Sequence, residues 1–282
     1  MSTPEPAPVC YRHPDRPTWV RCTRCERPIC PECMIPAAVG FQCPECVSAG
    51  QATVREPRTV FGGRLTTTSS VTISLIGVCV VIFVLQSLVG VNAVAADWGM
   101  WPAGVALNGE WYRLLTSVFL HGSWLHLAFN MYVLYVLGPP LERLLGHARF
   151  LVLFLVAGLG GAVASFVFSA ANTVSVGASG AIFGLMGALV VAGRHLRADI
   201  TQVLILIGIN VVIGFLAPGV DWRAHLGGLV TGAAVAFVFS KAPRGKQQTL
   251  VQVVGCAAIV LVLAGIAMWR AAEIQQLVGA LS

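Results

Sequence analysis

Apolar runs of about fifteen to twenty residues, nearly free of charge, recur along this chain. They restrict its architecture more than any other feature. The first spans residues 71–91 and contains no Asp, Glu, Lys or Arg. Others follow at 123–137, 150–169, 179–193, 200–216, 221–240 and 250–268. Runs of this length match the hydrocarbon thickness of a bilayer. Inside it every backbone N–H and C=O must be satisfied within the segment, so each run is expected to be a helix. The chain is 56% hydrophobic and 11% charged, too apolar for an ordinary soluble domain. The fold class is therefore an all-α polytopic membrane protein whose first partner is the lipid bilayer. A net charge of +6 reads as loop lysines and arginines rather than a nucleic-acid surface, and no nucleic-acid partner is expected. Residues Met1 to Pro6 lack the apolar core of a cleavable signal peptide, so the first run is expected to start insertion.

The boundaries between runs carry their own signals. Gly138-Pro139-Pro140 is expected to end the second span and Ala217-Pro218-Gly219 to break the fifth. Glu142, Arg143, His147 and Arg149 read as one polar turn, and Arg194, His195, Arg197 and Asp199 as another. Ser123 and Asp221 are placed to cap the second and sixth helices. Residues 92–120 are less uniformly apolar and gather Trp98, Trp101, Trp111 and Tyr112, rings that favour the headgroup level. The basic turns, including Lys241 to Lys246, fall on one side, which the positive-inside rule makes cytoplasmic. The expected location is the plasma membrane, with the N-terminus cytoplasmic and the C-terminus outside.

Residues 1–50 are a different material. They hold seven of the nine cysteines, and with His13 these form four pairs: Cys10 with His13, Cys22 with Cys25, Cys30 with Cys33, and Cys43 with Cys46. Ligands two residues apart can grip one tetrahedral zinc, and two such pairs close a structural site. Two structural zinc ions are expected. The short spacer between the second and third pairs favours cross-bracing, Cys10 and His13 with Cys30 and Cys33, and Cys22 and Cys25 with Cys43 and Cys46. A sequential pairing stays open. Regular C-x-x-C spacing without a secretory leader favours metal over disulfides. The segment resembles a small B-box-like zinc finger, and a cytoplasmic protein is a candidate partner for it. Residues 51–70 read as a polar linker, 71–240 as a six-helix core, and 241–282 as a cytoplasmic loop and a seventh helix.

The chemistry gathers in three stretches. Gly177-Ala178-Ser179-Gly180 opens the fourth span. Ala224-His225-Leu226-Gly227-Gly228 lies in the sixth. His121-Gly122-Ser123-Trp124-Leu125-His126-Leu127-Ala128-Phe129-Asn130 leads into the second. A serine hydroxyl becomes a useful nucleophile when a histidine takes its proton. Small residues around both would let the helices approach closely enough. By alternation Ser179 and His225 lie at similar depth on the outer side. His126 and Asn130, four apart, share a helical face.

Together these stretches resemble the signature motifs of the rhomboid family of intramembrane serine proteases, over about residues 71–240. The resemblance implies a six-helix core, here with one extra helix. It implies a Ser179–His225 dyad, an oxyanion site from His126, Asn130 and the Ser179 N–H, and a structural role for His121. It implies no cofactor for catalysis. Substrates would be single-pass membrane proteins, cleaved within a transmembrane segment near the outer face. Glu110-Trp111-Tyr112-Arg113 resembles the structural element of the family's first loop. Phe183, one turn below Ser179, is placed to pack on the base, and Gly177 and Gly228 to allow close approach. The competing reading is a catalytically inactive relative that binds or regulates partner proteins. A transporter would need charged residues along a path, and the spans contain almost none.

Overall fold

The computed structural model describes residues 6–53, 57–216 and 219–281. It divides into two compact units, Met1–Pro57 and Arg58–Ser282. The expected break at Ala217-Pro218-Gly219 lies mostly outside the described residues, as do Met1 to Glu5 of the N-terminal stretch.

The first unit has little regular structure. It holds a two-stranded antiparallel sheet, β1 (Ile35–Pro36) and β2 (Phe41–Gln42), and one helix, α1 (Pro44–Thr53). Gly40 turns the hairpin at φ +65°, where an L side chain is strained. The buried centre consists of Cys10, Cys22, Cys30, Cys33, Cys43 and Ile29. Apart from Ile29 the unit has almost no aliphatic core, which is the expected economy of a domain held by metal.

The second unit is helical. It runs through α2 (Ser70–Val89), α3 (Val91–Trp98), α4 (Pro102–Asn108), α5 (Arg113–Thr116), α6 (Trp124–Leu145) and α7 (His147–Phe168). It continues with α8 (Ser179–Leu196), α9 (Thr201–Leu216), α10 (Trp222–Lys241) and α11 (Gln248–Leu281). Among the described residues five helices are long and apolar enough to cross a membrane: α2, α7, α8, α10 and α11. The other two expected spans are α6, 22 residues that include charged Glu142 and Arg143, and α9, 16 residues. This is the architecture expected of a polytopic membrane protein with a seventh helix.

Small residues draw α7, α8 and α10 together. A Cβ on Gly228 would overlap the carbonyl oxygen of Gly180, and one on Gly232 would overlap that of Gly184. A Cβ on Gly161 would come 2.8 Å from the Ala224 carbonyl oxygen. Without side chains in the way, backbone meets backbone, the geometry that membrane helices use where water drives no burial.

Three boundary expectations need correction. The seventh span does not end at 268, because α11 continues through Arg270 and Glu273 to Leu281. Gly138-Pro139-Pro140 does not end the second span, because α6 runs through both prolines to Leu145. The expected polar turn therefore begins inside a helix. Glu142 is fully buried, and its carboxylate accepts hydrogen bonds from Val71 N (2.9 Å), Thr72 N (2.8 Å) and Thr72 Oγ1 (2.6 Å). These are the orphan donors at the start of α2, and satisfying them rewards the extra helical turn beyond the prolines.

Residues 51–70 are not a linker throughout. Phe61 is wholly buried in the core of the second unit, and Gln252 of α11 donates to its carbonyl at 3.0 Å. A Cβ on Gly63 would overlap the Leu145 carbonyl oxygen. Residues 58–69 are thus a strap closed over the ends of α6 and α11, and residues 51–53 extend α1.

Candidate active site and metal-binding groups

α8 begins at Ser179, and the loop before it is fixed by backbone bonds. Met100 and Ser175 exchange both N–H···O bonds, at 2.8 and 2.9 Å, and Gly177 N donates to Ser117 O at 2.9 Å. Gly177 sits at φ +137°, and a Cβ there would lie 2.9 Å from His126 Nε2 and 3.6 Å from Ser179 Oγ. Only glycine leaves that space open.

Across from it, His225 Nε2 lies 2.9 Å from Ser179 Oγ. The imidazole stacks on Phe183 with centroids 4.2 Å apart and planes 11° from parallel. His225 Nδ1 is buried and has no hydrogen-bond partner among the described residues. Asp221 does not orient it. One carboxylate oxygen caps α10 by accepting from Arg223 N and Ala224 N, and the other accepts from Ser165 Oγ. Among the described residues the arrangement is a pair, serine and histidine, with no acidic group bonded to the imidazole.

His126 reaches the same place from α6, where Ser123 Oγ caps the helix by accepting from His126 N at 3.1 Å. Its Nδ1 accepts from Gly122 N at 3.4 Å, which leaves Nε2 on the Gly177 side. Asn130 is buried and donates from Nδ2 to its own helix, at His126 O, 2.8 Å away. Ser179, His225, His126, Asn130 and Phe183 all line one cavity of about 780 Å³. His121 is fully buried, with its ring edge-on to Phe83 and to His126.

Residues 108–242 match the protein-family model described as Rhomboid domain. This segment is thus similar to a rhomboid domain. Its relatives include the "Rhomboid protease GluP" of Bacillus subtilis, 44% identical over 124 residues that make up 42% of this chain and 24% of that protein. The "RHOMBOID-like protein 4" of Arabidopsis thaliana is 40% identical over 121 residues, 40% of this chain and 30% of its own length. The "Putative rhomboid protease YdcA" of Bacillus subtilis is 38% identical over 122 residues, 40% of this chain and 59% of that protein. The chain thus spans less than two thirds of each of these relatives. The matched residues run from the end of α4 through α10, and the apolar helices are those of a multi-pass membrane protein.

Sequence reasoning passed over Gln86 of α2. Its side chain grips the backbone of His121 at both ends, donating to His121 O at 3.3 Å and accepting from His121 N at 3.1 Å. The signal was available, since an amide inside an otherwise apolar span needs a reason. Arg113 is buried and donates to Glu110, Ala96 O and Gly99 O, at 2.6, 2.7 and 2.9 Å. It ties together the loop that carries Met100.

In the first unit, two groups of four could each hold a metal ion: Cys10, His13, Cys30 and Cys33, and Cys22, Cys25, Cys43 and Cys46. Within each group the ligand atoms lie within 4.8 Å of one another. The pairing is the cross-braced one. Burial alone would raise the Cys10 and Cys22 thiols, but backbone N–H groups outweigh it and draw both down to about 6. Burial and neighbouring thiols push Cys33 up, and the Cys43 thiol pushes Cys46 up. The thiols of one group cannot all shed their protons unless a cation sits between them. Arg27 supports the second group, donating to Cys25 Sγ at 3.3 Å and Cys43 Sγ at 3.7 Å while pairing with Glu45.

Proposed function

We propose that this protein is an intramembrane serine endopeptidase that cleaves transmembrane segments of single-pass membrane proteins. The observation that carries the reading is the 2.9 Å approach of His225 Nε2 to Ser179 Oγ at the wall of one cavity. Ser179 Oγ attacks the scissile carbonyl carbon while His225 Nε2 accepts its proton. His225 then returns that proton to the leaving amine, and water repeats the cycle on the acyl-serine. The developing oxyanion is met by the Ser179 N–H, His126 Nε2 and Asn130. Asn130 gives up its bond to His126 O to serve there. The stacked Phe183 holds the imidazole in plane, a task that an acidic residue performs in a triad.

The buried groups at the site must be reached by an extended peptide, because an intact helix hides its carbonyls. Substrates are therefore expected to carry helix-weakening residues near the cleavage point. The protein is placed in the plasma membrane with its N-terminus cytoplasmic and its active site opening outward. Each cysteine-rich group of the first unit holds one structural zinc ion, saturated by four protein ligands and without a catalytic position.

The test is cleavage of a model transmembrane substrate by purified protein. Ser179→Ala and His225→Ala are each expected to abolish cleavage, and Ser179→Ala to abolish labelling by a fluorophosphonate, with both variants expressed and folded. Cleavage that persists in Ser179→Ala refutes the mechanism. A folded wild type that neither labels nor cleaves supports an inactive, partner-binding relative instead.

A further inference from the structure

Among the described residues, the cavity around Ser179 is lined by only two with a formal charge at neutral pH, Asp221 and Arg223. Asp221 is already spent. Its carboxylate holds the N–H groups of Arg223 and Ala224 and the hydroxyl of Ser165. Arg223 is not. Its guanidinium lies 4.9 Å from the centre of the Trp222 ring, and no carboxylate among the described residues pairs with it. The contrast with the other arginines around this end of the helices is sharp. Arg113 pairs with Glu110 at 2.6 Å, and Arg270 with Glu273 at 2.7 Å.

Arg223 is half-buried, second in α10 and two residues before His225. A guanidinium withdrawn from water gains most from an anion that takes two of its N–H donors at once, and a carboxylate has that shape. A cation on the wall of a cavity that receives a peptide therefore favours an acidic side chain on that peptide. Resting on the protease reading above, we propose that Arg223 is a specificity residue, selecting transmembrane substrates with an aspartate or glutamate near the scissile bond. An extended strand advances about 3.3 Å per residue, and a helix with its side chains is about 10 Å across. The acidic residue thus falls within about three positions of the cleaved bond. The same arginine disfavours lysine or arginine there.

The test uses the full chain in detergent micelles and a set of otherwise identical transmembrane substrates. Asp, Asn or Lys is placed in turn at each of the three positions on either side of the cleavage point. At one position at least, Asp is expected to exceed Asn in kcat/KM by about tenfold or more, the scale of a charge-assisted hydrogen bond, with Lys poorer still. Arg223→Gln should bring the Asp-to-Asn ratio near one, Arg223→Lys should keep part of it, and Arg223→Glu should favour Lys. Fluorophosphonate labelling of Ser179 identifies the folded variants. Equal rates for Asp, Asn and Lys at every position overturn the proposal, as does a ratio that survives Arg223→Gln. A wild type indifferent to substrate charge but dependent on anionic lipid, with that dependence lost in Arg223→Gln, makes the residue a headgroup anchor and also overturns it. Ser179-dependent cleavage without charge preference refutes this proposal alone. Absence of Ser179-dependent cleavage from the whole set refutes the protease reading and this inference with it.

Discussion

The glycines of α8 and α10 make the site possible, and each can be ranked by what a methyl group would meet. At Gly228 it would overlap the backbone of Gly180, which has no rotamer to move aside. At Gly77, in the middle of α2, it would meet nothing within 4 Å. Gly228→Val is therefore expected to separate α8 from α10 and abolish cleavage, while Gly77→Ala leaves activity and thermal unfolding unchanged. Parallel assays of cleavage and unfolding in one detergent check both. Full activity in Gly228→Val would show that the helices do not need this approach. The residues that read clearly from sequence were those with a chemical signature, such as Ser179 and His225. The role of Asp221 was legible too, because a carboxylate four residues before His225 at a helix start is placed to cap it. Gln86 was harder, since its partner is the backbone of His121, 35 residues away, and backbone partners leave no mark in a sequence.

At the scale of elements, the apolar runs located the seven long helices to within a few residues at most ends, because bilayer length and hydropathy act locally. Two ends were misread: α11 runs past the expected end at 268 to Leu281, and α6 runs past its prolines, an end decided by tertiary contact. Two prolines are a strong local stop, but Glu142 lies one turn beyond them and finds three donors at the start of α2. A local signal costing a few kcal/mol loses to a buried carboxylate with several charge-assisted bonds, each worth about 1.5–3 kcal/mol. The strap was misread for the same reason. Residues 58–69 are polar and glycine-rich, and only the three-dimensional pocket explains why Phe61 among them is buried. The carboxylate account makes a prediction about stability rather than chemistry. Glu142→Gln keeps the shape but offers one acceptor oxygen and turns an amide N–H toward backbone donors. It is expected to destabilise the second unit by roughly 3 kcal/mol or more, the scale of breaking a buried charged network. Glu273→Gln, at a half-exposed ion pair within one helix, should shift unfolding by about 1 kcal/mol or less. Equal unfolding temperatures for the two variants would remove Glu142 from its role as the anchor of α2.

The whole molecule is two units with two chemistries. Every side chain at the Ser179 cavity belongs to Arg58–Ser282, and both cysteine-rich groups belong to Met1–Pro57. If the proposed zinc ions are structural, removing them unfolds the first unit and leaves the dyad intact. A chelator is then expected to leave cleavage in detergent within about twofold of the untreated protein, while the isolated segment 1–57 binds about two zinc ions in tetrahedral sites. The position of the cut decides how cleanly the units come apart. A chain that starts at Arg58 keeps Phe61, Gly63 and the bond from Gln252 to the Phe61 carbonyl. It should cleave as the full chain does. A chain that starts at Thr66 also keeps every residue of the cavity, but it loses the buried Phe61 ring, a change worth about 3–5 kcal/mol. It is expected to unfold at lower temperature and to lose activity on mild heating while remaining active when cold. Cleavage and unfolding measured on both truncations separate the alternatives. Equal behaviour would make the strap dispensable, and loss of cold activity in the Arg58 chain would mean that the metal-binding unit takes part in catalysis.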